Sequence, residues 1–184
     1  MNKLFALIVF IILGHFSFGQ NVYFTRNGHI YFISETDAID IDANNNQVAS
    51  FLDITSGKLQ FAVLIKSFEF KLATAKEHFN ESYMESEKYP KATFKGEIIG
   101  IGNINLKNIG TYPVIVKGEL TLRGITKIIE VSGEITVTDG EINAKSEFNI
   151  PISDYNISVP SLVEHRVAKQ IIVKVDMIYL PYNK

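Results

Sequence analysis

The chain has 184 residues, of which 46% are hydrophobic, and its 18 lysine and arginine residues nearly balance its 20 aspartate and glutamate residues. This length and composition are typical of one globular domain with a sizeable core rather than of a disordered chain. The charges are scattered along the sequence, without the basic block that nucleic-acid binding requires. Nucleic acid is therefore excluded as a partner.

The first residues have the pattern of a secretory signal peptide. Lys3 precedes an unbroken apolar run over residues 4–13, and the small residues Ser17 and Gly19 follow it. This pattern predicts removal of residues 1–19, which leaves residues 20–184 as a single mature domain in the periplasm or outside the cell. A transmembrane anchor is the alternative, but this apolar run is about half the length that a bilayer crossing needs. No stable membrane span is expected elsewhere in the sequence.

The sequence contains no cysteine. An exported domain would therefore be held together by its hydrophobic core, without disulfides, and would carry no lipid-modified cysteine at the cleavage point. The oligomeric state is left open by the sequence, and a homodimer is compatible with it.

From residue 29 to the end of the chain, apolar and polar residues alternate with a period of two. Alternation of this kind is typical of β-strands that have one apolar and one solvated face. The clearest run has five apolar residues on one face: Tyr112, Val114, Val116, Leu120 and Leu122. Three further runs, over residues 129–137, 142–150 and 171–179, repeat the pattern and predict more strands.

Short turn sequences separate the predicted strands. A glycine stands where a hairpin turn needs a positive φ in three pairs: Ser56-Gly57, Arg123-Gly124 and Asp139-Gly140. Strands spaced at roughly ten residues and joined by hairpins indicate an all-β fold, an antiparallel meander or barrel.

Other segments depart from the period of two. The spacing of Leu72, Ala75, Phe79 and Tyr83 predicts one amphipathic helix of about three turns over residues 72–84. A shorter helical turn is predicted at residue 161, where a serine after a proline has capping-box spacing to a glutamate. The asparagine run at residues 44–46 and the stretch 100–110 are predicted to be loops.

The sequence offers no catalytic constellation. Three histidines remain after cleavage, far apart in sequence and in no metal-binding pattern, and no nucleophile elbow or phosphate-binding loop follows a strand. His78 and Glu81 have i,i+3 spacing and are interpreted as a surface contact, while Glu85 and Glu87 are interpreted as solvated carboxylates. Neither an enzyme, nor a metal site, nor a cofactor is predicted.

The apolar face of the strands leaves two interpretations open. An eight-stranded barrel is just wide enough either to fill with its own side chains or to hold one small ligand. Aromatic residues on the predicted strands and helix would form a solid core in the first case and line a cavity in the second. The pattern alone does not decide between them.

Three ordered motifs resemble those of a known family. Residues 78–94 read His-Phe-Asn-Glu-Ser-Tyr-Met-Glu-Ser-Glu-Lys-Tyr-Pro-Lys-Ala-Thr-Phe, and residues 118–127 read Gly-Glu-Leu-Thr-Leu-Arg-Gly-Ile-Thr-Lys. The third motif is Phe148 and Ile150 followed by Asp154-Tyr155. In these motifs the chain resembles the YceI-like family, and the likeness extends over about residues 28–180.

The resemblance implies an all-β fold with one short helix: an extended, lipocalin-like, antiparallel eight-stranded β-barrel. It further implies export in bacteria and an apolar tunnel for a polyisoprenoid, isoprenoid quinone, fatty acid or similar long-chain apolar lipid, which is carried or sequestered. Together with the strand pattern, it predicts thirteen ligand-binding residues: Phe61, Val63, Phe68, Phe70, Phe79, Tyr83, Met84, Phe94, Val116, Leu120, Leu122, Phe148 and Met177.

Arg123 departs from the family pattern, which usually has a histidine at this place in the hairpin. If that histidine contributes to a polar end of the tunnel, the cation favours a ligand with an acidic head group. An exposed hairpin arginine is the other interpretation. A different class of function, a solid-core envelope interaction or stress-related module without a ligand cavity, is the alternative to lipid binding.

Overall fold

The computed structural model describes residues 22–105 and 108–182. The predicted signal peptide and its cleavage point lie outside these residues, so both stay predictions. The described residues contain nine strands: β1 (Val22–Ser34), β2 (Ile41–Asp53), β3 (Lys58–Leu64), β4 (Glu69–Phe70), β5 (Lys91–Ile99), β6 (Gly110–Leu122), β7 (Ile125–Val137), β8 (Ile142–Pro151) and β9 (Gln170–Pro181).

Eight of the described strands close into a barrel in which every pairing is antiparallel. Their order is β1-β9-β8-β7-β6-β5-β3-β2, and β2 pairs with β1 to complete the circle, while the two-residue β4 adds to β2. Closure removes the exposed edges that an open sheet would present. The predicted eight-stranded antiparallel barrel with one short helix is thereby confirmed.

The antiparallel order gives the barrel two different ends. The turns over residues 54–57 and 138–141 and the segment that follows β5 lie at one end, which we call the closed end. The longer segments 35–40, 65–90 and 152–169 lie at the other, which we call the open end. The hairpin of Arg123 and Gly124 is at the open end, and both residues have positive φ, as a two-residue turn between twisted strands requires.

The predicted loop at the asparagine run is wrong, because Asn44, Asn45 and Asn46 lie inside β2. The β1–β2 register shifts between the pairs of Gly28 with Val48 and of Ile30 with Asn45, so β2 carries one extra residue, a β-bulge. Asparagine suits this position because its side chain bonds the irregular backbone. Asn45 is fully buried; its Oδ1 accepts the Gln47 N–H at 2.9 Å, and its Nδ2 donates to the Leu64 carbonyl at 3.0 Å.

The predicted helix over residues 72–84 is present at the open end, but it changes pitch. An α-helix, α1 (Ala73–His78), continues into a π-helical turn over Phe79–Tyr83, whose i→i+5 bond joins the Met84 N–H to the Phe79 carbonyl at 2.9 Å. The second predicted turn is a 3₁₀ helix over Ser161–Arg166, although no side chain caps it. Within the described residues, no helix combines the length and apolar character that a bilayer crossing requires.

Part of the closed half, beside β1, β8 and β9, is solidly packed. Tyr179 and Met177 are fully buried there, and Ile142 is 2% exposed. Ser50 Oγ donates to the Gln60 carbonyl at 2.9 Å, so the Tyr179 hydroxyl, 2.6 Å from Ser50 Oγ, is the donor of that buried bond. Burial raises the pKa of the Tyr179 phenol, which therefore stays a neutral donor.

Candidate functional site

A cavity of about 750 Å³ occupies the barrel interior and reaches the open end. Inward-facing residues of all eight barrel strands line it, together with the helical segment 73–83 and the loop that follows β8. Protein cores contain few voids larger than a water molecule, whereas ligand pockets measure about 300–1,000 Å³. The void is therefore a pocket of ligand size, which a solid-core module does not predict.

Twelve of the thirteen predicted ligand-binding residues line this cavity. Strands supply most of them: Phe61, Val63, Phe70, Phe94, Val116, Leu120, Leu122 and Phe148. The segment between β3 and β5 supplies the others: Phe68, Phe79, Tyr83 and Met84. The period of two and the helical spacing thus selected residues that meet around one void. Whether they bind a ligand is taken up below as a proposal.

Met177 is the predicted residue that does not line the cavity. It faces inward, as its strand parity indicates, but it is fully buried and fills the space beside Gly28. A Cβ added to Gly28 would lie 2.1 Å from the Met177 Sδ atom, so the glycine makes room for the thioether. Strand parity predicts direction but not depth, and Met177 packs in the solid half of the barrel.

Four phenylalanine rings form a cluster at the open end. The Phe79 ring is stacked on Phe32 at 5.3 Å between centroids, and it lies 5.5 Å from Phe68 and 5.0 Å from Phe70. These contacts fix the helical segment against β1, β4 and the residue before β4, because aromatic pairs at such distances attract beyond their buried area. The sequence prediction missed Phe32, although its alternation with Ile30 is visible in the run from residue 29.

Two facing glycines shape the wall between β5 and β6. Gly96 pairs with Gly118, and both face the interior. The Phe94 ring lies across them, since a Cβ on Gly96 or Gly118 would come within 2.6 or 2.7 Å of its Cζ atom. An aromatic ring that covers glycines in a sheet replaces their missing side-chain packing. The ring therefore lies flat on the wall instead of filling the cavity.

The described wall is incomplete between β7 and β8. The β6–β7 ladder continues to the pair of Leu122 with Ile125, whereas the β7–β8 ladder ends at the pair of Gly133 with Ser146. The remaining parts of the two strands diverge toward the open end, and the loop 152–167 covers the space between them. This loop contributes Ile157 and further apolar residues to the cavity, which sequence reasoning missed because a loop has no period.

The polar residues of the lining lie mainly at the mouth. Thr74, His78 and Ser82 line the cavity from the helical segment, beside its apolar stripe, and Arg166 does so from the 3₁₀ turn. His78 had been interpreted as a surface contact of Glu81, but its exposed side chain borders the cavity. Sequence spacing alone could not reveal this, because the position of the helix over the mouth depends on the fold.

Arg123 has neither of the roles considered from the sequence. It does not line the cavity, and its side chain is only 18% exposed. Its guanidinium donates to the Glu85 carboxylate and to the Asn156 carbonyl. Glu85 is therefore an ion-pair partner rather than a solvated carboxylate. The three residues join the hairpin, the end of the helical segment and the loop after β8, so their role is to hold the open end together.

Within the described residues, no three histidine, aspartate or glutamate side chains are grouped so that they could hold a metal ion. The cavity walls are mainly hydrocarbon, with hydroxyl, imidazole and guanidinium groups at the mouth and with Glu134, Lys145 and Ser146 where the β7–β8 ladder ends. Such an arrangement can enclose an apolar molecule and contact one polar end of it.

Comparisons with known proteins agree with this architecture. The structure is similar to a polyisoprenoid binding domain from Saccharophagus degradans, with a TM-score of 0.75, 13% identity, and coverage of 88% of this chain and 99% of that domain. BcnA from Burkholderia cenocepacia is similar with a TM-score of 0.70, 16% identity, and coverage of 82% of this chain and 95% of that one. A YceI protein from Campylobacter jejuni follows with a TM-score of 0.61, 18% identity, and coverage of 77% and 85% respectively.

At these identities the structural likeness shows the fold alone. No curated protein matches the chain significantly. The family model of the YceI-like domain, however, matches residues 18–179, which is nearly the whole chain. The resemblance seen in the three sequence motifs is thus confirmed, and the chain belongs to the YceI-like family.

Proposed function

We propose that the protein binds a long apolar lipid inside the barrel and carries or sequesters it. The observation that carries this proposal is the cavity of about 750 Å³, whose walls are predominantly aliphatic and aromatic side chains. Transfer of apolar surface from water to such a wall is favourable and roughly proportional to the area buried. The solved relative from Saccharophagus degradans, described as a polyisoprenoid binding domain, supports the same class of ligand.

The proposal is binding rather than catalysis. Among the described lining residues, hydroxyl, imidazole and guanidinium groups lie mainly at the mouth, where solvent reaches them. Acid–base or nucleophilic catalysis needs a base within hydrogen-bond reach of the reacting group in a site that excludes water. Away from the mouth the described lining is mainly aliphatic and aromatic, and its charged groups are Glu134 and Lys145, which face each other across β7 and β8.

The test is the lipid content of the protein purified from its own host, measured by organic extraction and mass spectrometry. Val116→Trp places a large ring in the cavity, while Ile115→Trp places the same ring on the outer face of the same strand, where Ile115 is 40% exposed. We expect stoichiometric lipid in the parent and in Ile115→Trp, and at least a severalfold reduction in Val116→Trp.

Two outcomes would contradict the proposal. One is a parent protein that yields no stoichiometric lipid and takes up neither fatty acid nor isoprenoid when these are added. The other is a folded Val116→Trp variant that retains as much lipid as Ile115→Trp. The second result would place any bound lipid outside the cavity.

We also propose that the protein works in the periplasm or outside the cell, after removal of residues 1–19. The support is the sequence pattern of a charged start, a short apolar run and small residues before Gln20. N-terminal sequencing of protein from the envelope or medium should find a chain that begins at or within a few residues of Gln20. A chain in those fractions that retains Met1 would contradict the cleavage.

A further inference from the structure

The cavity has a polar mouth and an apolar floor. Thr74, His78 and Ser82 follow one another at four-residue spacing on the helical segment, next to the apolar residues that enter the cavity. Arg166 borders the same mouth from the end of the 3₁₀ turn. A ligand with one polar end would gain hydrogen bonds from these four side chains with that end at the mouth and its hydrocarbon toward the floor.

The charge of Arg166 is not neutralised by a neighbouring side chain. Its Nε atom lies 3.4 Å from Nε2 of the adjacent His165, and none of the described carboxylates lies within 4.0 Å of its guanidinium. Glu164, two residues away, is instead 3.7 Å from the Lys169 ammonium. The guanidinium therefore retains its hydrogen-bonding capacity for an external partner.

The lining itself offers little negative charge to oppose a bound anion. Among described lining residues, the one carboxylate is Glu134. Along β7 it is separated from Ile125, the residue of that strand at the open end, by roughly 30 Å at about 3.3 Å per residue. Its cross-strand neighbour is Lys145, whose ammonium forms an ion pair with Asp176 at 3.4 Å. Among the described lining residues, the charged group that borders the mouth is thus Arg166.

We propose that the mouth recognises an anionic head group, a carboxylate or a phosphate, of a lipid whose tail lies in the barrel. Arg166 is the charged partner, because its planar guanidinium can donate two parallel hydrogen bonds to either group. Thr74, His78 and Ser82, which border the cavity from the helical segment, offer further hydrogen bonds to the head group. This inference rests on the proposed function and narrows the ligand class from an apolar lipid to an acidic amphiphile.

The experiment compares lipids that share a tail and differ in the head group. Dissociation constants of the delipidated protein are measured by displacement of an environment-sensitive fluorescent dye, with hexadecanoic acid against hexadecanol, and farnesyl phosphate against farnesol. Arg166→Gln removes the charge at the mouth. Lys169→Gln removes the same charge from a neighbouring residue that does not line the cavity, so it controls for long-range electrostatics.

We expect the parent to bind at least one acidic lipid about tenfold more tightly than its alcohol, a typical effect of one charge-assisted hydrogen bond. Arg166→Gln should lose most of that preference and leave the alcohol unchanged, whereas Lys169→Gln should keep it. The ratio of the two dissociation constants within each pair shows whether the carboxylate or the phosphate gains more over its alcohol. Equal affinity for acids and alcohols, or equal effects of the two substitutions, would overturn the head-group site while leaving lipid binding intact. Failure of all four lipids to displace the dye would overturn the proposed function as well.

Discussion

The closed and open halves of the barrel are built from the same strands but differ in what fills them. In the closed half, Tyr179 of β9 reaches past β1 to bond Ser50 of β2, and Met177 packs in the space beside Gly28. In the open half, Phe94 lies flat on its glycines and leaves the interior empty. The alternation of apolar and polar residues is the same in both. A period of two therefore determines which face is inward, while side-chain size and glycine placement determine whether that interior is filled or hollow.

The halves also differ in how their backbones are closed. Short turns connect strands at the closed end, where Asp53 accepts the Thr55 and Ser56 N–H groups at 2.9 and 3.3 Å. At the open end, the β7–β8 ladder stops early and a loop covers the space. Regions with fewer ladder bonds and fewer buried contacts open locally at lower free energy than the rest of a protein. The closed end is thus the more stable part of the barrel, and the open end is where a ligand can reach the cavity.

The largest expected effect tests this difference with two isoleucines on the same face of β8. Ile142→Ala removes a side chain that is 2% exposed and packed in the closed half, so the free energy of unfolding should fall by about 2–5 kcal/mol. Ile150→Ala truncates a half-buried side chain that already borders the cavity, and it creates no new closed void. Ile150→Ala should lower the free energy of unfolding by about 1 kcal/mol, because only part of the side chain leaves an apolar contact.

Urea denaturation of the two variants and the parent measures both losses under the same conditions. Both substitutions remove the same atoms from the same strand, so helix or strand propensity cannot explain a difference. Equal losses would contradict the assignment of Ile142 to a packed half and of Ile150 to a hollow one.

The fold was predictable from the sequence where a local rule acts on each residue. The alternation identified strands β6 to β9, and the glycine pairs identified their turns, because side-chain direction and φ are local properties. The spacing of Leu72, Ala75, Phe79 and Tyr83 identified the helical segment and the side that enters the cavity. Twelve of the thirteen residues predicted to bind ligand line the cavity, and those on β6, β8 and the helical segment follow from these two signals.

Features that depend on distant partners were not predictable in this way. Asn45 resembles a loop residue, yet it is buried in β2 because its amide bonds the Leu64 carbonyl from the end of another strand. Arg123 bonds Glu85 and the Asn156 carbonyl, which lie on two other chain segments that only the folded structure brings beside it. The depth of Met177 likewise depends on Gly28 of a neighbouring strand. Such tertiary contacts override local preferences, and one sequence does not reveal them.

The second expected effect concerns the glycines that keep the wall thin. A Cβ at Gly118 would lie 2.5 Å from the Gly96 Cα and from the Lys95 carbonyl oxygen, both of them backbone atoms. Gly118→Ala should therefore force β5 and β6 apart and lower the free energy of unfolding by about 1–3 kcal/mol. Gly102→Ala is the matched control, since a Cβ there meets no atom within 4 Å.

The thermal midpoint of each glycine variant should be measured with and without bound lipid. We expect Gly118→Ala to lower the thermal midpoint in both states. Gly102→Ala should leave the free energy of unfolding within about 0.5 kcal/mol of the parent value. A Gly118→Ala variant as stable as Gly102→Ala would show that the close approach of the two strands is not required.

The smallest expected effect tests what holds the open end together. Glu85, Arg123 and Asn156 all have positive φ, at 46°, 48° and 52°, and they are the non-glycine residues of the described chain in that conformation. Non-glycine residues in this region are strained by about 1–3 kcal/mol each and persist where surrounding contacts fix them. The guanidinium of Arg123, which joins the other two residues, provides those contacts.

Arg123→Met keeps an unbranched side chain comparable to the aliphatic part of arginine and removes the guanidinium, so it should lower the free energy of unfolding by about 1–2 kcal/mol. A double-mutant cycle with Glu85→Gln should give a coupling energy of about 1 kcal/mol, since the two side chains are only 18% and 34% exposed. Lys117→Met, whose ion pair with Glu130 is 54% and 59% exposed, should change stability by less than about 0.5 kcal/mol. Hydrogen exchange in Arg123→Met should quicken at residues 85–90 and 153–157 and stay unchanged at the closed end. Uniform quickening along the whole barrel would show instead that Arg123 supports the fold as a whole, and the open end would then not be a separately stabilised region.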